Sequence, residues 1–123
     1  MKRILFVLIV AVLGLYGCGS TAKETRSGQT TTAYEQVFEA SKQSAPENHF
    51  LITKSDLATG EIVGRKGAPP TAVYLGIIVT KGTPNKVEVF VESPAHTKEM
   101  AKVIVQDVIT SIKTRVPNLK VKE

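Results

Sequence analysis

One cysteine and two histidines stand among the 123 residues. A lone cysteine cannot close an internal disulfide, and with no second cysteine there is no Cys/His zinc motif. His49 and His96 fall at a predicted strand start and near a predicted helix start. Nothing in their spacing brings both to a nucleophile or a carboxylate, and surface positions are the ordinary reading for each. Asp56 and Glu61 flank a predicted hairpin turn, where acids are usually solvated. Gly60, Gly64 and Gly67, ahead of Pro69-Pro70, match neither the phosphate-binding loop nor the dinucleotide fingerprint. Arg65-Lys66 is a lone basic pair of the kind that faces water. No catalytic, metal-ligating or cofactor-binding residue is assigned, so an enzyme is not expected. Convergence of either histidine with an acid in a cleft would revive that class.

The long apolar run, Ile4 to Leu15, falls short of the roughly 20 residues a membrane-spanning helix needs. It follows the basic start Met1-Lys2-Arg3 and ends at Gly17-Cys18-Gly19. That length and those flanks describe the apolar region of a secretory signal; an uncleaved anchor is the other reading. Within it, Leu15-Tyr16-Gly17-Cys18 resembles the signal of bacterial lipoproteins. A branched apolar residue stands three before the cysteine and a small residue just before it, while Tyr16 departs from the usual pattern. The resemblance implies cleavage between Gly17 and Cys18, a diacylglycerol thioether on the Cys18 thiol and an N-acyl chain on its new amine. Two or three acyl chains, each buried methylene contributing about 0.8 kcal/mol, hold a protein firmly on a bilayer. Gly19-Ser20 lacks the aspartate that retains such proteins at an inner membrane. In a two-membrane source the implied place is therefore the outer membrane, facing the periplasm.

Removing 17 of 123 residues leaves 106, and losing Lys2 and Arg3 lowers the net charge from +5 to +3. That is enough chain for one small domain. A charge so modest and so dispersed gives little reason to expect nucleic acid; it implies a mild attraction to anionic head groups.

Residues 19–31 contain no apolar side chain larger than alanine, so 18–31 reads as a flexible tether, leaving 32–123 as the domain. Thr32 and Glu35 resemble a capping box, with a helix over 33–44 that presents Tyr34, Val37 and Phe38 inward and stops at Pro46. Two strands over 50–56 and 61–66 are joined near Ala58-Thr59-Gly60. Two β-branched runs, 71–80 and 86–92, flank the five-residue loop Lys81-Gly82-Thr83-Pro84-Asn85 as a hairpin. Ser93-Pro94 offers a helix start, and Ala101, Ile104, Val105, Val108 and Ile112 mark one face of a helix over 95–115. Residues 120–123 are expected to fray. The expected fold is α+β, a two-layer sandwich of a four-stranded antiparallel sheet with a helix at each end.

The stretch YEQVFEASKQS, then FLITKSDLATGEIVGRKG with its Ser55-Asp56, Thr59-Gly60 and Ile62-Val63, is similar to small helix-grip lipoprotein domains. These include the C-terminal modules of the C lipoprotein of the outer-membrane barrel-assembly machine. The resemblance implies a scaffolding or protein-contacting role in the envelope and supplies no catalytic residues. A soluble-ligand binder, with a groove between sheet and helices, is the alternative.

If Thr80 pairs with Lys86, then Val73, Leu75, Ile77 and Val79 share a face with Val87, Val89 and Val91, and this face lies under the helices. The other face carries Tyr74, Gly76 and Ile78 beside Glu88, Phe90 and Glu92. Tyr74, Ile78 and Phe90 then form an uncovered apolar patch rimmed by acids, a possible partner or self-association surface. Aromatic and β-branched residues also favour strands for their own sake.

Overall fold

The computed structural model describes residues 21–69, 71–94 and 97–122. Leu15, Tyr16, Gly17 and Cys18, and the histidine at 96, lie outside the described residues. The elements in chain order are β1 (Thr21–Thr30), α1 (Tyr34–Glu47), β2 (Leu51–Asp56), β3 (Glu61–Lys66), β4 (Val73–Thr80), β5 (Asn85–Pro94), α2 (Lys98–Arg115) and β6 (Lys120–Lys122). All six strands join one antiparallel sheet in the order β2-β3-β4-β5-β1-β6. This corrects the expected four-stranded sheet with a helix at each end: a strand precedes the first helix and another follows the last.

The missing strands were hidden by their composition. Residues 21–30, expected to form most of a tether, pair with β5 along the whole of both strands, from Thr21 opposite Pro94 to Thr30 opposite Asn85. The inward side of β1 carries Ala22, Glu24, Arg26, Gly28 and Thr30, with Glu24 and Arg26 half-buried opposite Val91 and Val89. Ala22, Gly28 and Thr30 are buried, and a Cβ on Gly28 would sit 2.9 Å from Leu119 Cδ1. Low hydrophobicity here reflects tight packing and backbone pairing rather than a lack of structure. The three-residue β6, expected to fray, pairs with Ser27–Gln29 and packs Val121 against the core.

Across the middle of β4 and β5 the sheet's inner face is apolar. Leu75, Ile77 and Val79 of β4 and Val87, Val89 and Val91 of β5 are each at most 1% exposed. They meet Val37 and Phe38 of α1 and Ala101, Val105, Val108, Ile109 and Ile112 of α2. The helical spacing of those residues is the reason both helices form where the sequence expects them. Both helix starts differ in detail. Ala33, not Thr32, is the N-cap of α1, and no side chain caps it. Thr32 Oγ1 instead donates to Asn118 Oδ1 at 2.8 Å. Strand β5 runs on through Ser93 and Pro94, so α2 begins at Lys98. Helix α1 takes Pro46 into its last turn and closes on Asn48, whose backbone N–H donates to Ser44 and Ala45.

A polar junction ties the chain ends to the hairpin. Thr30 Oγ1 donates to Asn118 Oδ1 at 2.7 Å, Asn118 Nδ2 donates to Thr31 Oγ1, and Asn85 Nδ2 donates to the Thr32 carbonyl at 2.7 Å. At the β2–β3 turn, Gly60 has φ 75°, and a Cβ there would lie 1.9 Å from the Val79 carbonyl oxygen.

Deleting residues 21–30 should abolish cooperative thermal unfolding, since β5 would lose its partner and α2 part of its floor. A deletion protein that melts as the intact one does would restore the tether. Gly60→Ala should cost about 2–3 kcal/mol in urea unfolding, from a positive φ combined with a backbone clash.

Candidate functional site

Face sharing in the sheet follows from register. Thr80 pairs with Lys86, Ile78 with Glu88, Gly76 with Phe90 and Tyr74 with Glu92, the register expected from the hairpin loop. Both helices pack on the Leu75–Val89 side, so among the described residues no element covers the opposite face. Tyr74 is exposed there, and Ile78 and Phe90 are half-buried among their strand neighbours.

The face is wider than the hairpin alone implies. Directly opposed residues point to the same side, so β3 adds Arg65, Val63 and Glu61, and β1 adds Lys23, Thr25 and Ser27. Three transverse rows result. The first runs Leu51, Arg65, Tyr74, Glu92, Lys23; the second Lys54, Val63, Gly76, Phe90, Thr25; the third Asp56, Glu61, Ile78, Glu88, Ser27. The first row is basic and apolar, and the third is acidic. Between them is a shallow depression of about 270 Å³, floored by Gly76 and bordered by Val63, Tyr74, Phe90 and Lys23. Gly76 leaves the floor open, since a Cβ there would meet the Phe90 ring at an ordinary contact distance of 3.8 Å.

Lys23 was missed by reading its segment as tether. Its Nζ lies 5.1 Å from the Phe90 ring centroid, over the aromatic face, a favourable cation–π placement. Val63 and Arg65 were visible as an alternation within β3, but only the β3–β4 register carries them onto this face. The acids flanking the β2–β3 turn have structural duties. Asp56 Oδ1 accepts from the Ala58 N–H at 2.9 Å, and Glu61 pairs with Lys54 at 2.5 Å. That ion pair is what raises the Lys54 pKa, first through its hydrogen bond. His49 is exposed at φ 67°. Lys66 Nζ sits 4.9 Å from the Phe50 ring centroid. Among the described residues no three His, Cys, Asp or Glu side chains are placed to hold a metal ion, and no helix is long and apolar enough to cross a membrane.

Tyr34 marks a second polar spot, at the far end of the fold. Its hydroxyl donates to the Leu57 carbonyl at 2.6 Å, and Lys81 Nζ lies 5.5 Å from its ring centroid. Burial, then the charge of Asp56, raises its pKa above the ordinary 10.0. A raised phenol pKa means that folding favours the protonated form. The stability it contributes is full below pH 10 and lost as pH rises through the folded value. Tyr34→Phe should accordingly flatten the loss of stability above pH 10, measured by urea titration across that range. On the open face, Tyr74→Ser and Phe90→Ser should leave the far-ultraviolet spectrum unchanged and cost no more than about 1–2 kcal/mol each, as neither side chain is in the core.

No family model matches the chain, and no curated protein matches it. Among solved structures, the fold is similar to the crystal structure of Ara h 8.0201, with a TM-score of 0.50 and 11% identity over 80% of this chain and 99% of that one. At that identity the likeness concerns architecture alone: a curved antiparallel sheet closed over a long C-terminal helix, the helix-grip arrangement.

Proposed function

We propose that this chain is a bacterial lipoprotein, anchored through acylated Cys18, whose single α+β domain serves as a structural or accessory protein-binding module of the cell envelope. The open sheet face is its docking surface. The observation that carries this reading is the strip of Tyr74, Ile78 and Phe90, widened by Val63, on a face that no helix among the described residues covers. Apolar side chains bordered by charge are the usual composition of an interface core and rim.

The charge order says what kind of partner fits. Asp56, Glu61 and Glu88 lie in one row with Ile78 at one end of the apolar strip, so the surface suits an envelope protein segment that carries basic residues beside its apolar anchors. The alternative of a small ligand between sheet and helices meets a layer of closely packed Val, Leu and Ile side chains. A small molecule would instead have to use the open depression, whose roughly 270 Å³ lies just below the usual range for ligand pockets. Extended protein contact uses that shallow shape better.

The test is in-cell crosslinking of tagged protein, with Cys18→Ser and the Tyr74→Ser/Phe90→Ser pair alongside. One dominant envelope protein should be captured by the parent and lost in both variants. Capture that survives the paired change would remove the open face from the reading. No enriched partner in any form would overturn the binding-module role.

A further inference from the structure

The strand assignment of residues 21–30 changes how near the domain stands to its anchor. Cys18 lies three positions before Thr21, the first residue of β1, and three residue steps of extended chain reach at most about 11 Å. Whatever the bilayer touches must therefore be at the end of the sheet where β1 begins. Pairing identifies that end. Thr21 lies opposite Pro94, and one step inward runs the row Lys23, Glu92, Tyr74, Arg65, Leu51. The helix layer reaches the same end, because Thr97 Oγ1 donates to the Pro94 carbonyl at 2.7 Å and so seats the first turn of α2 beside Thr21.

The side chains collected there are unlike those elsewhere on the surface. The large apolar residues most exposed among the described ones are Leu51 (65%), Val103 (58%), Met100 (54%), Leu57 (47%) and Tyr74 (43%). All but Leu57, which sits in the opposite turn, belong to this end. Lys98 and Lys102 flank Met100 and Val103 on α2, and all four are exposed; Arg65 and Lys23 flank Tyr74 across the sheet. The acids among them are Glu24, Glu92 and Glu99, and Glu99 is 3.8 Å from Lys102.

We infer that this end of the domain docks on an anionic bilayer surface. Met100, Val103 and Leu51 enter the head-group layer, Lys98, Lys102, Arg65 and Lys23 pair with lipid phosphates, and Tyr74 stays with the partner face at the border of this end. The inference rests on the lipoprotein reading, because the short span from Cys18 is what holds this end down. Interfacial apolar groups penetrate about 5–10 Å, a depth compatible with that span. Docked in this way, the domain turns the acidic row of the open face away from the bilayer and leaves it for a partner.

The experiment uses the mature acylated protein on vesicles of phosphatidylethanolamine and phosphatidylglycerol. Acylation consumes the sole thiol, so Val103→Cys or Leu57→Cys introduces one site for a nitroxide label. Mass spectrometry first reads the lipid on Cys18, and its absence overturns the lipoprotein reading itself. With lipid present, the label at 103 should be shielded from a water-soluble nickel chelate while that at 57 stays open. Lys98→Gln and Lys102→Gln should each reduce the shielded population about fivefold relative to the unshielded one. Phosphatidylcholine vesicles should reduce it likewise. Equal accessibility at 103 and 57 on acylated protein overturns the docking and leaves the anchor intact. Shielding that appears only at high protein density assigns this end to a second copy and overturns it too.

Discussion

The pairing of β1 with β5 is the contact on which the rest of the molecule depends. Ten residues of each strand are in register, and they place β5 in the interior of the sheet instead of at its edge. An unpaired β5 would present a long row of free backbone donors and acceptors beside the most apolar strand of the fold, an arrangement prone to aggregation. The same pairing completes the floor under α2 and gives β6 a strand to join. It also brings the folded domain within three residues of the cysteine that the signal resemblance singles out.

Two faces of one sheet thereby acquire different work. The inner face is closed by α1 and α2 over the packed Val, Leu and Ile side chains of β4 and β5, so it can hold the fold but offers little room for chemistry. The outer face keeps its polarity in bands, with basic and apolar residues toward the start of β1 and carboxylates toward the β2–β3 turn. Such banding gives the domain a direction relative to any charged surface, and the chain end that leads to the anchor coincides with its basic band.

Small polar contacts secure this layout where hydrophobic packing cannot. Asn118 and Asn85 tie the β1–α1 connection to the C-terminal segment and to the β4–β5 loop. Glu47 and Arg115 form an exposed ion pair across the two helices, beside Asn48 Nδ2 donating to Ser111 Oγ at 3.1 Å. These groups sit at element ends, where helices and strands leave backbone partners unmet.

Sequence alone determined the elements whose residues bury a face. The β-branched runs of β4 and β5 specified their hairpin and its register, because alternation with a buried side admits no one-residue slip. The spacing of Ile104, Val105, Val108 and Ile112 specified α2 in the same way, and the alternation of the two strands puts Tyr74, Ile78 and Phe90 on the open face. Tertiary structure alone decided β1 and β6. Their residues carry almost no hydrophobic signal, because β1 draws its stability from backbone pairing with a neighbour distant in sequence and is held to a glycine where Leu119 presses against it. For the same reason Thr32 was read as a helix cap: local spacing favours that role, and only the fold brings Asn118 close enough to take its hydroxyl.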